Sequence, residues 1–219
     1  MGTAAHAAPP KVLLTGFEPF DGSPVNPSLQ AAQALRGRRI AGHRVVAAAL
    51  PTAFGASLVA LQALLEQHRP VLVLATGQAG GRAALSMERV AINVDDARIP
   101  DNAGAQPVDL PVVPGGPAAY FSTLPIKAMR AAVLAQGIPA EVSQTAGTFV
   151  CNHVFYGLMH LLARPRWRGV RGGFVHVPWL PGQGEPSLPL EAIVTGLRAA
   201  LAAAVTHTQD IREAAGALD

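Results

Sequence analysis

Residues 147–158 read GTFVCNHVFYGL, and they contain Cys151, the only cysteine of the chain. A strand-like stretch at 138–142 precedes them, and apolar residues at helical spacing continue to about Arg164. This pattern predicts a strand, a turn and a helix. With Thr148 as the N-cap, Cys151 is expected at about the third helical position. Free backbone N–H groups and the positive end of the helix dipole there favour a thiolate, which is a nucleophile.

A different interpretation of Cys151 follows from the same spacing. Positions 151, 155, 158 and 162 are Cys, Phe, Leu and Leu, which form one apolar face of a helix. Free cysteine is among the residue types most often buried, so the spacing alone favours an inert core cysteine. The nucleophile interpretation therefore depends on a base elsewhere in the chain that can reach the sulfur.

Outward from this stretch, short apolar runs alternate with helix-forming runs along the whole chain. Strands are predicted at 12–15, 43–50, 70–76, 88–94, 138–142 and 172–177. Helices are predicted at 27–37, from Thr52 as N-cap to about His68, at 125–136 and at 188–204. Strands alternating with helices of this size predict an α/β fold, in which helices cover both faces of a mostly parallel or mixed sheet.

The length and composition are those of one α/β domain. The chain has 219 residues, half of them hydrophobic, which suffices for a large core. A single domain carrying the site is expected at 11–206, between a flexible N-terminal tail at 1–10 and a frayed C-terminal tail at 207–219. Residues 95–117 contain five prolines. This long excursion is expected to be a lid, a hairpin or an oligomer contact.

The composition also excludes several classes of partner. The formal charge is +3, but aromatic residues make up only 5% of the chain and no nucleic-acid motif overlaps the arginine clusters, so no nucleic-acid partner is expected. No run reaches the roughly 18 apolar residues of a membrane span, so no membrane association is expected. One cysteine permits no intrachain disulfide. Together with a start unlike a signal peptide, this predicts a cytoplasmic protein.

One histidine is well placed to act on Cys151. His176 is near the end of the predicted strand 172–177 and Cys151 follows another strand, so both are expected at the carboxyl edge of the sheet, where α/β proteins carry their sites. His153 and His160 lie on the opposite side of the Cys151 helix, so neither imidazole can turn back to the sulfur. The acid that orients the histidine stays open, because spacing does not choose among the carboxylates near suitable loops. These are Glu18, Asp21, Glu88, Asp95 and Asp96.

Five segments of the chain together resemble one enzyme family. They are TGFEPFDG at 15–22 with Asn-Pro-Ser at 26–28, TGQAGGR at 76–82, ERVAINVDD at 88–96, GTFVCNHVFYGL at 147–158 and FVHVP at 174–178. In this order and at these separations they closely resemble the pyroglutamyl peptidase I family, also called pyrrolidone-carboxylate peptidases. The resemblance extends from about Val12 to Pro181, which is essentially the whole globular part of the chain.

The resemblance implies a cysteine exopeptidase, a thiol protease that hydrolyses the N-terminal pyroglutamyl (5-oxoprolyl) residue from peptides through a thioester intermediate. It implies no metal and no cofactor. The family nucleophile falls on Cys151, its histidine on His176 and its acidic member on Glu88. Backbone N–H groups of Cys151 and of the turn 78–81 are candidates to hold the oxyanion.

The resemblance also implies a substrate pocket, a fold and an assembly. The pocket residues comprise apolar walls, two polar residues at the edge of the pocket and an arginine near the catalytic groups. They are Phe17, Phe20, Phe149, Val150, Asn26, Gln78 and Arg98. The implied fold is a three-layer α/β/α sandwich around a twisted, mostly parallel or mixed sheet. The family is commonly tetrameric, so a homotetramer or homodimer is expected.

Three other classes of protein are less consistent with these residues. A nucleotide-binding α/β protein would carry G-x-G-x-x-G or G-K-[ST] after a strand, and the glycine-bearing turns at 16–22 and 77–82 supply neither. A nucleoside phosphorylase would share the layout, with basic residues at a phosphate site. A thiol-redox or cysteine-ligated metal protein is disfavoured, because one cysteine can form neither C-x-x-C nor a cysteine-rich ligand set.

Overall fold

The structure, a computed structural model, describes residues 8–216. The strands in chain order are β1 Lys11–Phe17, β2 Arg39–Ile40, β3 His43–Leu50, β4 Leu72–Gln78, β5 Leu85–Glu88, β6 Val90–Ile92, β7 Ala119–Phe121, β8 Ala140–Ser143 and β9 Arg171–Val177. The helices are α1 Pro27–Ala34, α2 Ala56–His68, α3 Ile126–Leu134, α4 Val150–Leu162 and α5 Leu190–Thr206, with a 3₁₀ turn at Pro165–Trp167. Residues 1–7 of the expected N-terminal tail and 217–219 of the expected C-terminal tail lie outside the described residues.

Within residues 8–216, seven strands form one mixed sheet in the order β2-β3-β1-β4-β9-β5-β8. Strands β3, β1, β4 and β9 are parallel, as are β5 and β8. Strand β5 is antiparallel to β9, and β2 is antiparallel to β3. Across the described part of the chain, no helix is long and apolar enough to cross a membrane.

Two hydrophobic clusters place helices on both faces of this sheet. On one face, α1, α3 and α5 pack against strand residues such as Val12 and Val175. On the other face, α2 and α4 pack against residues such as Leu13 and Phe174. Successive strand residues point to opposite faces, which is why β1 and β9 are apolar on both sides. The predicted α/β/α sandwich around a mostly parallel, mixed sheet is confirmed.

Most predicted elements are present with shifted ends, but the predicted strand 88–94 is divided between the end of β5 and the short strand β6. Strand β5 ends at Glu88, where its pairing with β8 stops at Ser143. The chain then continues as β6, which pairs with β7 in a separate two-stranded sheet. Strand β7 has only three residues, so no local pattern indicated this partner. Glu88 is therefore the last residue of the main sheet on this strand.

Both predicted threonine N-caps are wrong. Helix α4 begins after Phe149, so Cys151 is its second residue, and the Thr148 hydroxyl donates to the Asp96 carbonyl at 2.7 Å. Helix α2 begins after Gly55 (φ 71°), and the Thr52 hydroxyl donates to a loop carbonyl at 2.8 Å. Each hydroxyl binds a carbonyl distant in sequence, so each joins two loops instead of capping its own helix.

The excursion 95–117 forms an antiparallel, hairpin-like arm. The backbones of Asp95 and Leu110 exchange two hydrogen bonds, at 2.7 and 3.0 Å. At the tip, the Asp101 carboxylate accepts from three backbone N–H groups, one of them that of Phe54 at 2.7 Å. The backbone N–H of Asn102 donates to the Thr52 carbonyl at 3.0 Å. These bonds fasten the arm to the loop before α2.

The segment 207–216 has no helix or strand, but it differs from the frayed tail that the sequence predicts. The Asp210 carboxylate accepts from the backbone N–H groups of Lys127 and Ala128, at 3.0 and 2.9 Å. Arg130 forms a 3.2 Å ion pair with Glu213. Asp210 thus caps the N-terminus of α3, whose own N-cap residue is a proline without a side-chain acceptor.

Candidate active site

The Cys151 sulfur lies in the first turn of α4, directly over strand β4. A β-carbon placed on Gly77 would be 2.6 Å from Cys151 Sγ and 2.9 Å from Phe174 Cζ. Real β-carbons do not approach a sulfur this closely, so the sulfur is seated against the bare backbone of Gly77. The Cys151 side chain is partly exposed, and it packs on the apolar cluster beneath α4.

His176 is brought to this sulfur by the sheet. In the parallel pairing of β4 with β9, Gly77 is the direct partner of His176, and paired strands lie about 4.8 Å apart. His176 is two residues after Phe174, so its side chain points to the same face, toward α4. The ring is 4% exposed and lies 4.8 Å from the Phe174 ring. The sheet therefore places the imidazole on the strand next to Gly77 and on the face covered by α4, where the thiol lies.

Glu88 holds the other side of the imidazole. His176 Nδ1 lies 2.8 Å from Glu88 Oε1, and Glu88 is fully buried. A carboxylate only accepts hydrogen bonds, so Nδ1 carries the hydrogen and Nε2 of the neutral ring is the free base. Strand β5 is antiparallel to β9, and Glu88 is the register partner of Phe174. Glu88 thus approaches from the strand that runs opposite to the histidine strand.

The other acids that spacing left open are not in contact with His176. Asp95 binds His153 Nδ1 at 2.8 Å, and the backbone N–H of Gly55 donates to His153 Nε2 at 3.0 Å. Glu18, Asp21 and Asp96 are exposed. Both ring nitrogens of His153 are engaged away from the sulfur, as its helical position predicts.

Arg82 is a residue of this site that sequence reasoning missed. Its Nη1 donates to Glu88 Oε1 at 2.7 Å, and its Nη2 donates to the Thr145 carbonyl at 2.9 Å. The signal was present in the sequence, since Arg82 ends the glycine-rich turn after β4. The resemblance directed attention to Arg98 instead, which is exposed and lines a groove beside the site.

The ionisation of Cys151 differs from the thiolate that the sequence predicts. The pKa of the Cys151 thiol is raised to about 12: burial is the largest cause, the negative charge of Glu88 acts in the same direction, and Arg82 acts in the opposite direction. The free side chain is therefore a neutral thiol at pH 7. Because burial disfavours the thiolate, the sulfur needs a base to take its proton at the moment of attack.

Aromatic rings form a wall beside the sulfur. The Phe149 ring, immediately before α4, lies 6.1 Å from that of Phe20 and 5.4 Å from that of Phe54. Phe54, which sequence reasoning missed, also packs edge-on against His153 at 5.3 Å. Two of the pocket residues that the resemblance implies, Phe20 and Phe149, thus lie together.

The remaining implied pocket residues lie at different depths. Phe17 is buried in the core, 6.4 Å from the Phe174 ring, and Val150 is buried at the start of α4. Asn26 is also buried, where its Oδ1 accepts from the backbone N–H of Ser28 at 3.1 Å and caps α1. These three side chains are buried, and none of them lines the groove beside the site.

A groove of about 810 Å³ lies between the loops 20–25 and 179–183. It brings together three of the implied residues, Phe20, Gln78 and Arg98. Gln183 Nε2 donates to Gln78 Oε1 at 3.3 Å and to Ser23 Oγ at 3.1 Å, so it links both walls. The groove is a cleft of the size that binds small ligands or a few peptide residues.

Comparisons with known proteins show what this chain is similar to. The sequence model of a family described as Pyroglutamyl peptidase matches residues 10–207. The pyrrolidone-carboxylate peptidase of Cupriavidus taiwanensis is 61% identical over 214 residues, which cover 95% of this chain and 99% of that protein. That of Streptomyces coelicolor is 57% identical, covering 94% and 98%.

Solved structures agree with the sequence comparisons. The crystal structure of pyroglutamyl peptidase I from Bacillus amyloliquefaciens superimposes with a TM-score of 0.92 at 46% identity, covering 94% of this chain and 100% of that one. The pyrrolidone carboxyl peptidase of Thermococcus litoralis superimposes with a TM-score of 0.89 at 34% identity, covering 94% and 99%.

Proposed function

The chain belongs to the pyroglutamyl peptidase family and is a cysteine peptidase that removes N-terminal pyroglutamyl residues from peptides, and we propose that Cys151, His176 and Glu88 carry out this reaction. The observation that carries the assignment is the continuous arrangement of sulfur, Gly77, His176 and Glu88. Gly77 touches Sγ and pairs with His176, whose Nδ1 is held by Glu88. This is the order of nucleophile, base and orienting acid that an activated cysteine requires.

The reaction proceeds in two halves. His176 Nε2 takes the Cys151 proton as the sulfur attacks the carbonyl carbon outside the lactam ring. The carbon–nitrogen bond then breaks, the imidazolium gives its proton to the departing amine, and a thioester remains. His176 then takes a proton from a water molecule, which attacks the thioester. The carbon–sulfur bond breaks, pyroglutamate leaves, and the imidazolium returns the proton to the sulfur. Glu88 stabilises the imidazolium in both halves.

The oxyanion formed in each half requires hydrogen-bond donors. Cys151 is the second residue of α4, so its backbone N–H has no acceptor within the helix. We assign it as one donor. Within the turn 78–81, Ala79 donates its N–H to the Val177 carbonyl at 2.9 Å and is not available. The Cys151 N–H therefore serves the intermediate directly beside the sulfur.

The pyroglutamyl ring has apolar faces and a polar edge, which matches the residues around the sulfur. The Phe20 and Phe149 rings provide flat apolar walls. Gln183 Nε2 donates a hydrogen bond to Gln78 Oε1. The amide N–H groups of Gln78 are therefore available to donate to the lactam carbonyl. The rest of the peptide follows the groove between the loops 20–25 and 179–183, which Arg98 and Trp179 line.

A direct test compares two fluorogenic amides that differ only in the ring. We expect release of 7-amino-4-methylcoumarin from the pyroglutamyl amide to exceed release from the prolyl amide by at least about a hundredfold, because proline lacks the lactam carbonyl and carries a charged amine. The measurement is kcat/KM for both substrates with reduced protein. Equal hydrolysis of both amides, or hydrolysis of neither, would contradict the proposed function.

Gly77→Ala tests the seat of the sulfur. The added methyl group would lie 2.6 Å from Cys151 Sγ, so the sulfur must leave its position over Gly77, and we expect kcat to fall by about a hundredfold. The control is Gly216→Ala, where a β-carbon meets nothing within 4 Å. Thermal unfolding checks that both variants fold. Wild-type kcat in folded Gly77→Ala would refute this placement of the sulfur.

We also propose that residues 11–206 form one catalytic domain and that the protein is a cytoplasmic homo-oligomer, a tetramer or a dimer. The match of the family model to residues 10–207 supports the domain bounds. Support for assembly comes from large apolar side chains in or beside the arm 95–117. Val108, Leu110 and Phe121 are 66%, 55% and 66% exposed, and such side chains often mark subunit contacts.

Light scattering tests the assembly. At micromolar concentration we expect the mass of a dimer or a tetramer of the 22.6 kDa chain. The double variant Val108→Asp with Phe121→Asp is expected to shift the mass toward the monomer, because charges at an apolar contact lose their hydration on association. A wild-type protein of monomer mass would end this part of the proposal.

A further inference from the structure

Arg82 joins two parts of the site that are far apart in sequence. Its Nη1 donates to Glu88 Oε1 at 2.7 Å, on the same oxygen that His176 Nδ1 contacts at 2.8 Å. Its Nη2 donates at 2.9 Å to the carbonyl of Thr145, in the loop that leads from β8 to Cys151. One guanidinium thus contacts both the orienting acid and the segment that positions the nucleophile.

The charge of Glu88 makes this contact necessary. Glu88 is fully buried, and Oε2 has no hydrogen-bond partner among the described residues. A buried carboxylate is costly unless a cation and hydrogen bonds compensate it. While His176 is neutral, Arg82 is the cation in contact with Glu88 within residues 8–216. Without it, the carboxylate would have one donor and no compensating charge before the reaction begins.

The shape of the guanidinium matters as well as its charge. Arginine presents several N–H groups in a rigid plane, so it can hold two acceptors at once, whereas a lysine ammonium acts as a point charge on a flexible chain. The Arg82 side chain is about one quarter exposed, and its head reaches the buried Oε1 from the surface. Lysine at this position would keep the charge near Glu88 and lose the fixed bridge to Thr145.

We propose that Arg82 is a positioning residue of the hydrolysis, which holds the Glu88 carboxylate aligned on His176 and fastens the loop before Cys151. The inference rests on the proposed function, since it assigns Arg82 a role in the same reaction. Within residues 8–216, the Arg82 guanidinium forms its hydrogen bonds with Glu88 and Thr145 and none with the Cys151 sulfur. It acts through Glu88, and through its charge on the thiol, where it favours the thiolate.

The kinetic test uses Arg82→Gln, Arg82→Lys and the control Arg89→Gln. Arg89 is a matched control because its Nε donates at 2.9 Å to Gln144, which is next to Thr145, whereas the Glu88 carboxylate is bound by Arg82 and His176 and not by the Arg89 side chain. We expect kcat on the pyroglutamyl amide to fall by about ten- to hundredfold in Arg82→Gln, with KM within about threefold of wild type. Arg82→Lys is expected to recover part of the loss, and Arg89→Gln to match wild type.

A second readout does not depend on hydrolysis. Within residues 8–216, the charges that act on the Cys151 thiol are those of Glu88 and Arg82, and His176 is the titratable group on the strand next to Gly77. Because Arg82 lowers the pKa of the thiol, alkylation by iodoacetamide at neutral pH is expected to slow by roughly threefold or more in Arg82→Gln. Arg82→Lys keeps the charge, so its alkylation profile from pH 6 to 10 is expected to follow that of wild type.

These measurements separate the two proposals. Wild-type kcat in Arg82→Gln, an equal fall in Arg89→Gln, or an unchanged alkylation profile in Arg82→Gln would overturn the role of Arg82. A wild type that does not cleave the pyroglutamyl amide would overturn the proposed function, and the alkylation profiles would still decide whether Arg82 acts on the thiol. Should Arg82→Gln fail to fold, full kcat in Arg82→Lys would refute the need for the bridge to Thr145.

Discussion

Cys151→Ser is expected to lower kcat for the pyroglutamyl amide by about four orders of magnitude. Serine keeps the size and position of the side chain, but its hydroxyl is far less acidic and less nucleophilic than a thiol. The site would also lose the sulfur that fills the space over Gly77. The measurement is release of the fluorogenic amine by equal amounts of wild type and variant.

His176→Ala provides the companion variant, because it removes the base and leaves the sulfur in place. We expect a loss of similar size, while far-UV circular dichroism and thermal unfolding remain close to wild type. Residual activity within tenfold of wild type in folded Cys151→Ser would show that Cys151 is not the nucleophile. The same result in His176→Ala would require another base.

Glu88→Gln is expected to reduce kcat by about a thousandfold. The change separates charge from geometry, because both donors to Glu88 bind the same oxygen and Oε2 has no partner among the described residues. A glutamine can place its carbonyl oxygen at Oε1 and keep both hydrogen bonds. It lacks the negative charge that stabilises the imidazolium of His176, so the loss measures that charge.

Glu141→Gln is the matched control for this variant. Glu141 lies on the neighbouring strand β8 and accepts a 2.6 Å hydrogen bond from Ser86, but it is exposed and has no contact with His176. We expect its kcat to match wild type. A Glu88→Gln protein with more than about a tenth of wild-type kcat would mean that Glu88 orients the ring by hydrogen bonding alone.

The local sequence pattern predicted the fold more accurately than it predicted the ends of the helices. Alternating apolar runs predict the strands and helices, since each buried strand must be covered on both faces. Thr148 and Thr52 have the right chemistry for N-caps, yet both hydroxyls bind carbonyls of other loops. A cap depends on the geometry of one turn, and that geometry was set here by contacts distant in sequence.

The site shows the same division. Cys151 and His176 could be paired from the sequence, because one comes after a predicted strand and the other near the end of a second. Both are therefore expected at the same edge of the sheet. The orienting acid could not be chosen from the residues, because that inference needs the direction of β5. Strand β5 runs antiparallel to β9, and the Glu88 carboxylate at the end of β5 contacts His176 on β9.

By itself, the sequence determined the α/β class and the family, and it predicted the pairing of a lone cysteine with a strand histidine, because periodicity and motif spacing are local properties of the chain. Only the tertiary structure decided that Gly77 seats the sulfur, that Arg82 and not Arg98 contacts Glu88, and that the free thiol is neutral. The physical reason is that close approach, desolvation and ion pairing depend on distances between residues of different elements. Those distances exist only once the sheet and its covering helices have assembled.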